Sequence, residues 1–353
     1  MISKSVSVSN LIGCGQAGFW LRIKKCLYEI VHYRPWRARG RRLKTGADKA
    51  QYPLAMSVIV CTYNRTEKLK TAVVSLINQT LDLPYEIIIV NNGGEINEKE
   101  YTGISGADVR VVTEKRRGLS CARNTGGRAA KGKFLVYADD DIRADKHLLE
   151  RIYSAFLGHR NLGIVGGQIV LETQEPRPEI ILEGHETLWS EYTVGYKKFR
   201  EVSRQYEFPF GANFSVEHGL FDAVGGFDER YGRVGDNYAG GEETAMCFKA
   251  LHAGYKIGIE PSAVVYHCVD ENRFTKEHVR HTIRAGIFTT QKLYEDGYSP
   301  SIWDEKYIRK RAEIARAELE KLKKSGETEK RIFYKECEKD AFEELGEKLR
   351  KEG

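Results

Sequence analysis

Three consecutive carboxylates, Asp139-Asp140-Asp141, end the apolar run Phe134-Leu135-Val136-Tyr137-Ala138. A buried strand that stops in clustered carboxylates aims oxygen atoms into the crevice at its carboxyl end, where open α/β sheets bind ligands. Oxygen donors suit Mg2+ or Mn2+, and such an ion commonly shares one or two carboxylates with substrate phosphates. The plain alternative is a solvated acidic turn or a helix cap. A second apolar run, Ala263-Val264-Val265-Tyr266, ends in His267, which fits either a further metal ligand or a core histidine. Between the two runs, Gly240-Gly241-Glu242-Glu243 leads into the helical stretch Thr244 to Ala253. Carboxylates there could place a general base in a cleft, or simply offset the helix dipole.

Such groups need a scaffold that brings distant segments together. Met56 to Cys61, Tyr85 to Val90, Val109 to Thr113, Lys133 to Ala138 and Ile164 to Leu171 read as strands, and Leu69 to Leu81 as a helix. Strands alternating with helices predict a parallel, doubly wound sheet. The strand ends carry polar segments, namely Thr62-Tyr63-Asn64-Arg65, Asn91-Asn92-Gly93-Gly94 and the aspartates, with Arg117 to Asn124 just ahead of the last. Polar groups therefore collect on one edge of the sheet, as a nucleotide site requires. Farther on, Gly211 to Ser215 precedes an expected helix and the turn Gly225 to Glu229. Trp189, Tyr192 and Tyr196 stand three and four apart, the spacing of a helix's core face, although the rings could also stack on sugars or meet a lipid tail.

The chain has 353 residues, 41% hydrophobic and 30% charged, which suits a globular protein of one large or two smaller domains. No segment reaches the roughly 18 consecutive apolar residues of a membrane span. The start of the chain also lacks the basic, apolar and cleavage-site succession of a signal peptide. Seven cysteines, odd in number and without a CxxC pair, fit free thiols in the cytosol better than disulfides or zinc. Net charge is +6, yet residues 1–52 hold eleven Lys and Arg against two acids, so the rest is slightly acidic. Within that arm Phe19, Ile23, Leu27 and Ile30 recur at helical spacing, and Arg34 to Arg42 packs basic residues around Trp36. Amphipathic and polybasic together, the arm suits an anionic membrane surface, or a helix docked on the protein's own body. Its Gly13-Cys14-Gly15-Gln16-Ala17-Gly18 matches GxGxxG but lacks the βαβ context of a dinucleotide site. After about residue 300, Ile308, Ala312, Ala315, Leu319 and Leu322, then Tyr334, Cys337, Ala341 and Leu345, predict a charged helical hairpin interrupted at Ser325-Gly326.

Taken in order, the motifs across residues 56–268 resemble the catalytic domain of glycosyltransferase family 2. SVIVCTYNR is similar to the family's opening strand and nucleotide loop. GLSCARNTGGRAAKGKFLVYADDDI resembles its Arg-Asn helix and metal-binding DxD strand. FGANFSV, VGGFDER and GGEETAMCFKALHAGYKI resemble its acceptor-side and catalytic-base motifs. The resemblance implies a GT-A fold, Rossmann-like, with a mostly parallel sheet flanked by helices. The implied division is a basic arm at 1–52, a catalytic domain at 53–300 and a helical extension at 301–353. Within the catalytic domain, about 53–145 would hold the nucleotide sugar and about 146–300 the acceptor.

By that resemblance Thr62, Tyr63 and Arg65 would border the base and ribose, and Asp139 would face the ribose, with Asp140 beside it. Asp141 would bind a divalent Mn2+ or Mg2+ that bridges the donor's diphosphate, with His267 and Asp139 as candidate co-ligands. Arg117 and Arg123 could help hold phosphates, or be ordinary surface and helix-capping arginines. Glu243, ahead of Glu242, would be the base that deprotonates the acceptor hydroxyl in a single inverting displacement. Two departures stand out: Glu243 replaces the family's usual Asp, and Asn91 replaces an Asp that touches the nucleobase. Asn offers a donor as well as an acceptor, so the base of the donor nucleotide stays open.

The implied activity is metal-dependent transfer of a hexose from a nucleotide sugar to a glycan or lipid-linked acceptor, in cell-surface polysaccharide or glycoconjugate synthesis. It would work peripherally at the cytoplasmic face of a membrane, without a nucleic-acid partner. The alternatives are a sugar nucleotidyltransferase, although Cys61 to Arg65 lacks the Gly-rich loop expected of one, and a membrane-bound GT-A scaffold without turnover.

Overall fold

The computed structural model describes residues 52–102, 108–234 and 239–352. Residues 1–51 of the basic arm, with its GxGxxG match, lie outside them. The strand β1 (Leu54–Thr62) is followed by α1 (Thr66–Ile77), β2 (Tyr85–Asn91), α2 (Lys99–Thr102), β3 (Asp108–Thr113), α3 (Leu119–Ala129) and β4 (Gly132–Asp139). Strands β1, β2, β3 and β4 pair in parallel in the order β3-β2-β1-β4. Met56, Val58, Ile59 and Val60 of β1 are wholly buried, as expected of a central strand covered on both faces.

Helix α1 buries Leu69, Ala72, Val73 and Leu76, spaced three and four apart. It ends at Ile77, short of the expected Leu81. The Asn78 side chain donates to the Val74 carbonyl at 2.9 Å, and Thr80 N then donates to Lys146 O at 2.9 Å, which carries the chain away. Helix α3 lies close on the sheet because Gly126 presents no side chain: a Cβ there would collide with Ile59 and Val90. That close approach places Arg123 and Asn124 of the same helix at the carboxyl edge.

Past β4 the sheet becomes mixed. A short β5 (Ile142–Ala144) turns back, then come α4 (Leu148–Gly158), β6 (Leu162–Glu172), β7 (Arg200–Val202), β8 (Phe214–Glu217), α5 (His218–Val224), α6 (Glu242–His252) and β9 (Lys256–Cys268). β8 runs antiparallel between β4 and β6, β6 pairs β9 in parallel, and β5 and β7 both pair β9 antiparallel. The nine-stranded sheet is thus half parallel and half mixed. Its long pairings, β1 with β2 and β4, β2 with β3, and β6 with β9, are all parallel, as expected. Segment 185–210 is not a helix. A 3-10 turn at Glu186–Trp189 and a bridge from Tyr192 to Ile169 carry it, with Trp189 and Tyr192 buried against different neighbours.

The C-terminal hairpin matches its spacing pattern. After α7 (Lys276–Glu295), α8 (Glu305–Lys324) and α9 (Glu329–Glu352) fold back at Ser325-Gly326. Ile308 and Ala312 pack on Phe342 and Leu345, while Phe333, Tyr334 and Cys337 join Trp189, Val269 and Val279. It packs on the body. Among the described residues no helix is long and apolar enough to cross a membrane, and the five described cysteines are free thiols.

Candidate active site

Register brings the strand ends together. β1 pairs Cys61 with Asp139 in parallel, which sets Thr62 beside Asp140: its hydroxyl donates to Asp140 Oδ2 at 2.7 Å. The chain then bends through Asp140 and Asp141 into β5, whose Ile142 pairs with His267 of β9. The backbone closes the corner, with Cys268 N donating to Asp141 O at 2.8 Å. Asp139, Asp141 and His267 therefore converge, each offering one ligand atom, all within 4.8 Å of one another.

The arrangement suits a divalent cation for a specific reason. His267 Nδ1 lies 3.0 Å from the main-chain oxygen of Trp189, which can only accept, so Nδ1 carries a proton. Nε2, facing Asp141 Oδ1 at 3.1 Å, must then be protonated too, or have its lone pair satisfied by a cation between them. A ligating imidazole anchored through its other nitrogen to a backbone carbonyl is the usual second-layer arrangement at metal sites. Without the ion, burial works against charge on both groups. Their mutual hydrogen bond and attraction nevertheless win, holding Asp141 well below the usual carboxylate range and raising His267 above its ordinary value. Arg65 supplies further positive charge, 2.9 Å from Asp141 and 3.3 Å from Asp140. Burial, then the neighbouring Asp141 charge, push Asp140 up to about 6 despite Arg65 and Thr62.

The acid pair sits at the start of α6, two residues earlier than the expected helix start at Thr244. Gly241 adopts a left-handed φ of 96°, which a side chain would strain, and turns the chain so that Glu242 and Glu243 occupy the first helical turn. Arg123 of α3 reaches across to them. Its Nη1 stands 2.8 Å from both Glu242 Oε1 and Glu243 Oε1, and its Nη2 3.5 Å from Asp139 Oδ1. One buried guanidinium thus separates the acid pair from the carboxylate–imidazole cluster. Burial opposes its charge, but Glu243, Glu242 and Asp139 keep it protonated. Glu242 is 2% exposed, its Oε2 has no hydrogen-bond partner among the described residues, and burial followed by the Glu243 charge pushes it up to about 7. The Glu243 side chain stays 17% exposed. Of the two, Glu243 is the one a substrate can reach.

Other expected residues take different places. Asn91 spends both ends of its amide on its own loop, donating to Gly94 O at 2.7 Å and accepting from Gly93 N at 3.0 Å. Tyr63 is exposed, with the Arg117 guanidinium 5.8 Å from its ring centroid. Arg117 is therefore at the rim, whereas Arg123 is sealed beneath the acids. Sequence reasoning missed Asp270, 3.5 Å from Arg65, and Arg273, 4.0 Å from Asp141 Oδ2. Both follow within six residues of His267, and that proximity was the available signal. Missed too were β5 and the Trp189 carbonyl, neither of which has a periodicity to read.

Residues 57–223 match the family described as Glycosyl transferase family 2. The segment includes the loop after β1, the helix that carries Arg123 and Asn124, and the aspartates. The matched region, residues 57–223, is that of a family 2 glycosyltransferase. The chain is a transferase, with a GT-A fold. Among its relatives is the glucosyl-dolichyl phosphate glucuronosyltransferase of Haloferax volcanii, 29% identical over 231 residues, covering 62% of this chain and 71% of the relative. A second is the hyaluronan synthase of Pasteurella multocida, 23% identical over 259 residues. The match covers 65% of this chain but 26% of that synthase, so this glycosyltransferase corresponds to a fraction of the longer protein. Among solved structures, a mannosyltransferase from Pyrobaculum calidifontis in complex with GDP-Man and Mn2+ superposes with a TM-score of 0.51 at 17% identity. That superposition covers 81% of this chain and 75% of the other, and it establishes the shared fold.

Proposed function

We propose that this glycosyltransferase moves a hexose from a nucleotide sugar to a glycan or lipid-linked acceptor with inversion, using Mn2+ or Mg2+. The supporting observation is the geometry around Arg123: a solvent-reaching carboxylate on one side of the guanidinium and a carboxylate–imidazole cluster on the other. A one-step displacement needs a base on one face of the anomeric carbon and charge neutralisation at the leaving diphosphate on the other. Asp139, Asp141 and His267 would hold the ion. When bound, it supplies positive charge to the diphosphate as the bond to the sugar breaks. Glu243 accepts the acceptor hydroxyl's proton as the oxygen attacks, and Arg123 fixes the position of its carboxylate. Glu242, buried and readily neutral, anchors the other side of that guanidinium without competing for the proton. Thr62 and Arg65 hold Asp140 at the nucleotide end, and Tyr63 and Arg117 form the outer edge of the base site.

The lipid-linked acceptor draws support from the Haloferax relative, whose name includes a dolichyl phosphate. The basic arm of residues 1–52 would hold the enzyme at an anionic, cytoplasmic membrane face.

The test is product analysis with a panel of nucleotide sugars and Mn2+. Transfer with release of a nucleoside diphosphate is expected, lost in Asp141→Ala and reduced about 10²- to 10⁴-fold in Glu243→Gln. Undiminished transfer by Asp141→Ala would overturn the assignment of the aspartates, and full activity in Glu243→Gln the assignment of the base.

A further inference from the structure

We propose that Trp189 is a positioning residue for the cation end of the site, held in place by the C-terminal hairpin; this rests on the metal-binding function proposed above. Trp189 ends a 3-10 turn, where Ser190 switches to a left-handed φ of 63° and the helical pattern stops. Carbonyls at such an end lack a helical partner. His267 Nδ1–H fills that vacancy at 3.0 Å, and the imidazole is thereby turned so that Nε2 faces Asp141. The indole of the same residue donates from Nε1 to Arg273 O at 3.0 Å. Arg273 is the other group that closes on Asp141 from beyond β9, with Nη1 at 4.0 Å. One residue therefore holds both the imidazole that faces Asp141, through its main chain, and, through its ring, the backbone that carries the Arg273 guanidinium toward Asp141.

The ring has no freedom to drift. It is fully buried, with the rings of Phe274 and His278 each 5.8 Å away. Phe333, Tyr334 and Cys337 of α9 complete its apolar surroundings. The hairpin is also tied to the chain just before the turn: Tyr334 Oη donates to Ile180 O at 2.7 Å, and Lys330 Nζ to Glu179 O at 2.7 Å. The last helix thus braces the ligand set from outside the sheet, a job its charged, repetitive sequence does not advertise. Partners of ligating imidazoles govern metal affinity because they fix ring orientation and tautomer.

The experiment measures Mn2+ binding to the full chain without donor, by the paramagnetic resonance signal of free Mn2+, alongside thermal melting. Trp189→Phe keeps an aromatic ring at the site and deletes the indole N–H that ties it to Arg273 O, which loosens the turn whose carbonyl holds His267. It is expected to weaken Mn2+ binding on the order of tenfold. Tyr334→Phe, at the hairpin's tether, should shift binding in the same direction by less. Phe342→Ala, in the separate apolar cluster with Ile308 and Leu345, should lower the melting temperature and leave Mn2+ affinity unchanged. Wild-type affinity in both Trp189→Phe and Tyr334→Phe would overturn the positioning role. So would an equal loss in Phe342→Ala, since affinity would then merely follow stability. Asp141→Asn separates this from the metal assignment. If it too binds Mn2+ normally, that assignment falls and the inference with it; if it alone loses Mn2+, only the role of Trp189 is refuted.

Discussion

Replacing Arg123 with Met keeps an unbranched apolar stem and removes the charge that neutralises Glu242 and Glu243. The Arg123 side chain is 3% exposed, and its partners stand at 2.8, 2.8 and 3.5 Å, so water cannot take over its role. Deleting one member of a buried ion pair costs about 3–5 kcal/mol, because the remaining charge stays desolvated. For a chain of this size each kcal/mol moves the melting point by about 1.4 °C, so a fall of roughly 4–7 °C is expected. The pH dependence gives a sharper test. In the native protein Glu242 titrates near 7, against 4.5 for a free side chain, so the folded state binds its proton more tightly than the unfolded chain does. Its contribution to stability is therefore full below about pH 4.5 and is lost as pH rises through about 7. Without Arg123 that carboxyl moves higher still, and the folded variant keeps its proton where the native protein has released it. The stability gap should be level below about pH 7 and widen above it by up to about 1.4 kcal/mol per pH unit. Urea unfolding of both proteins from about pH 6 to about pH 9 measures this directly. A gap under about 1 kcal/mol, or one that narrows above about pH 7, would refute the view of Arg123 as the buried counter-ion of the acid pair.

Gly211 faces the same cluster, and a Cβ there would intrude on Glu243 Oε1 and Arg123 Nη2. Both are ends of flexible side chains, so Gly211→Ala should displace the Glu243 carboxylate without unfolding the chain. A kcat loss of about a hundredfold with donor KM little changed is expected, and an unchanged kcat would contradict it. Ile308→Ala opens a void where α8 meets α9 and should cost about 2–5 kcal/mol in urea unfolding; a loss under about 1 kcal/mol would mean the hairpin is not packed there. Removing residues 1–50 should lower binding to anionic vesicles in a flotation assay. Equal binding before and after truncation would rule out the arm as the membrane contact.

Local pattern carried much of the information. The apolar runs at 56–61, 85–90 and 133–138 announced buried parallel strands because only a strand covered on both faces tolerates unbroken aliphatic residues. Polar residues ending those runs marked the ligand edge, and the three- and four-residue steps after 300 marked the hairpin. Asp139, Asp141 and His267 were legible as candidates because each closes an apolar run, and Glu242-Glu243 because a glycine pair precedes them. Periodicity also misled: Trp189, Tyr192 and Tyr196 have helical spacing, yet two are buried by a turn and a bridge. Spacing records which residues seek burial, not which conformation buries them.

What the sequence left open was decided by contacts between segments far apart in the chain. Nothing local says that Arg123 lies beneath residues 242 and 243, that the Trp189 carbonyl fixes a ring at 267, or that β5 folds Asp141 against β9. Charges, hydrogen bonds and packing act over a few ångströms in space, and only the closed sheet brings those partners within reach. The sequence alone determined the chemical types available and the strand ends that present them. Their division into a buried acid, a reachable carboxylate and a carboxylate–imidazole cluster came from tertiary structure, because burial and proximity set a carboxylate's charge and access.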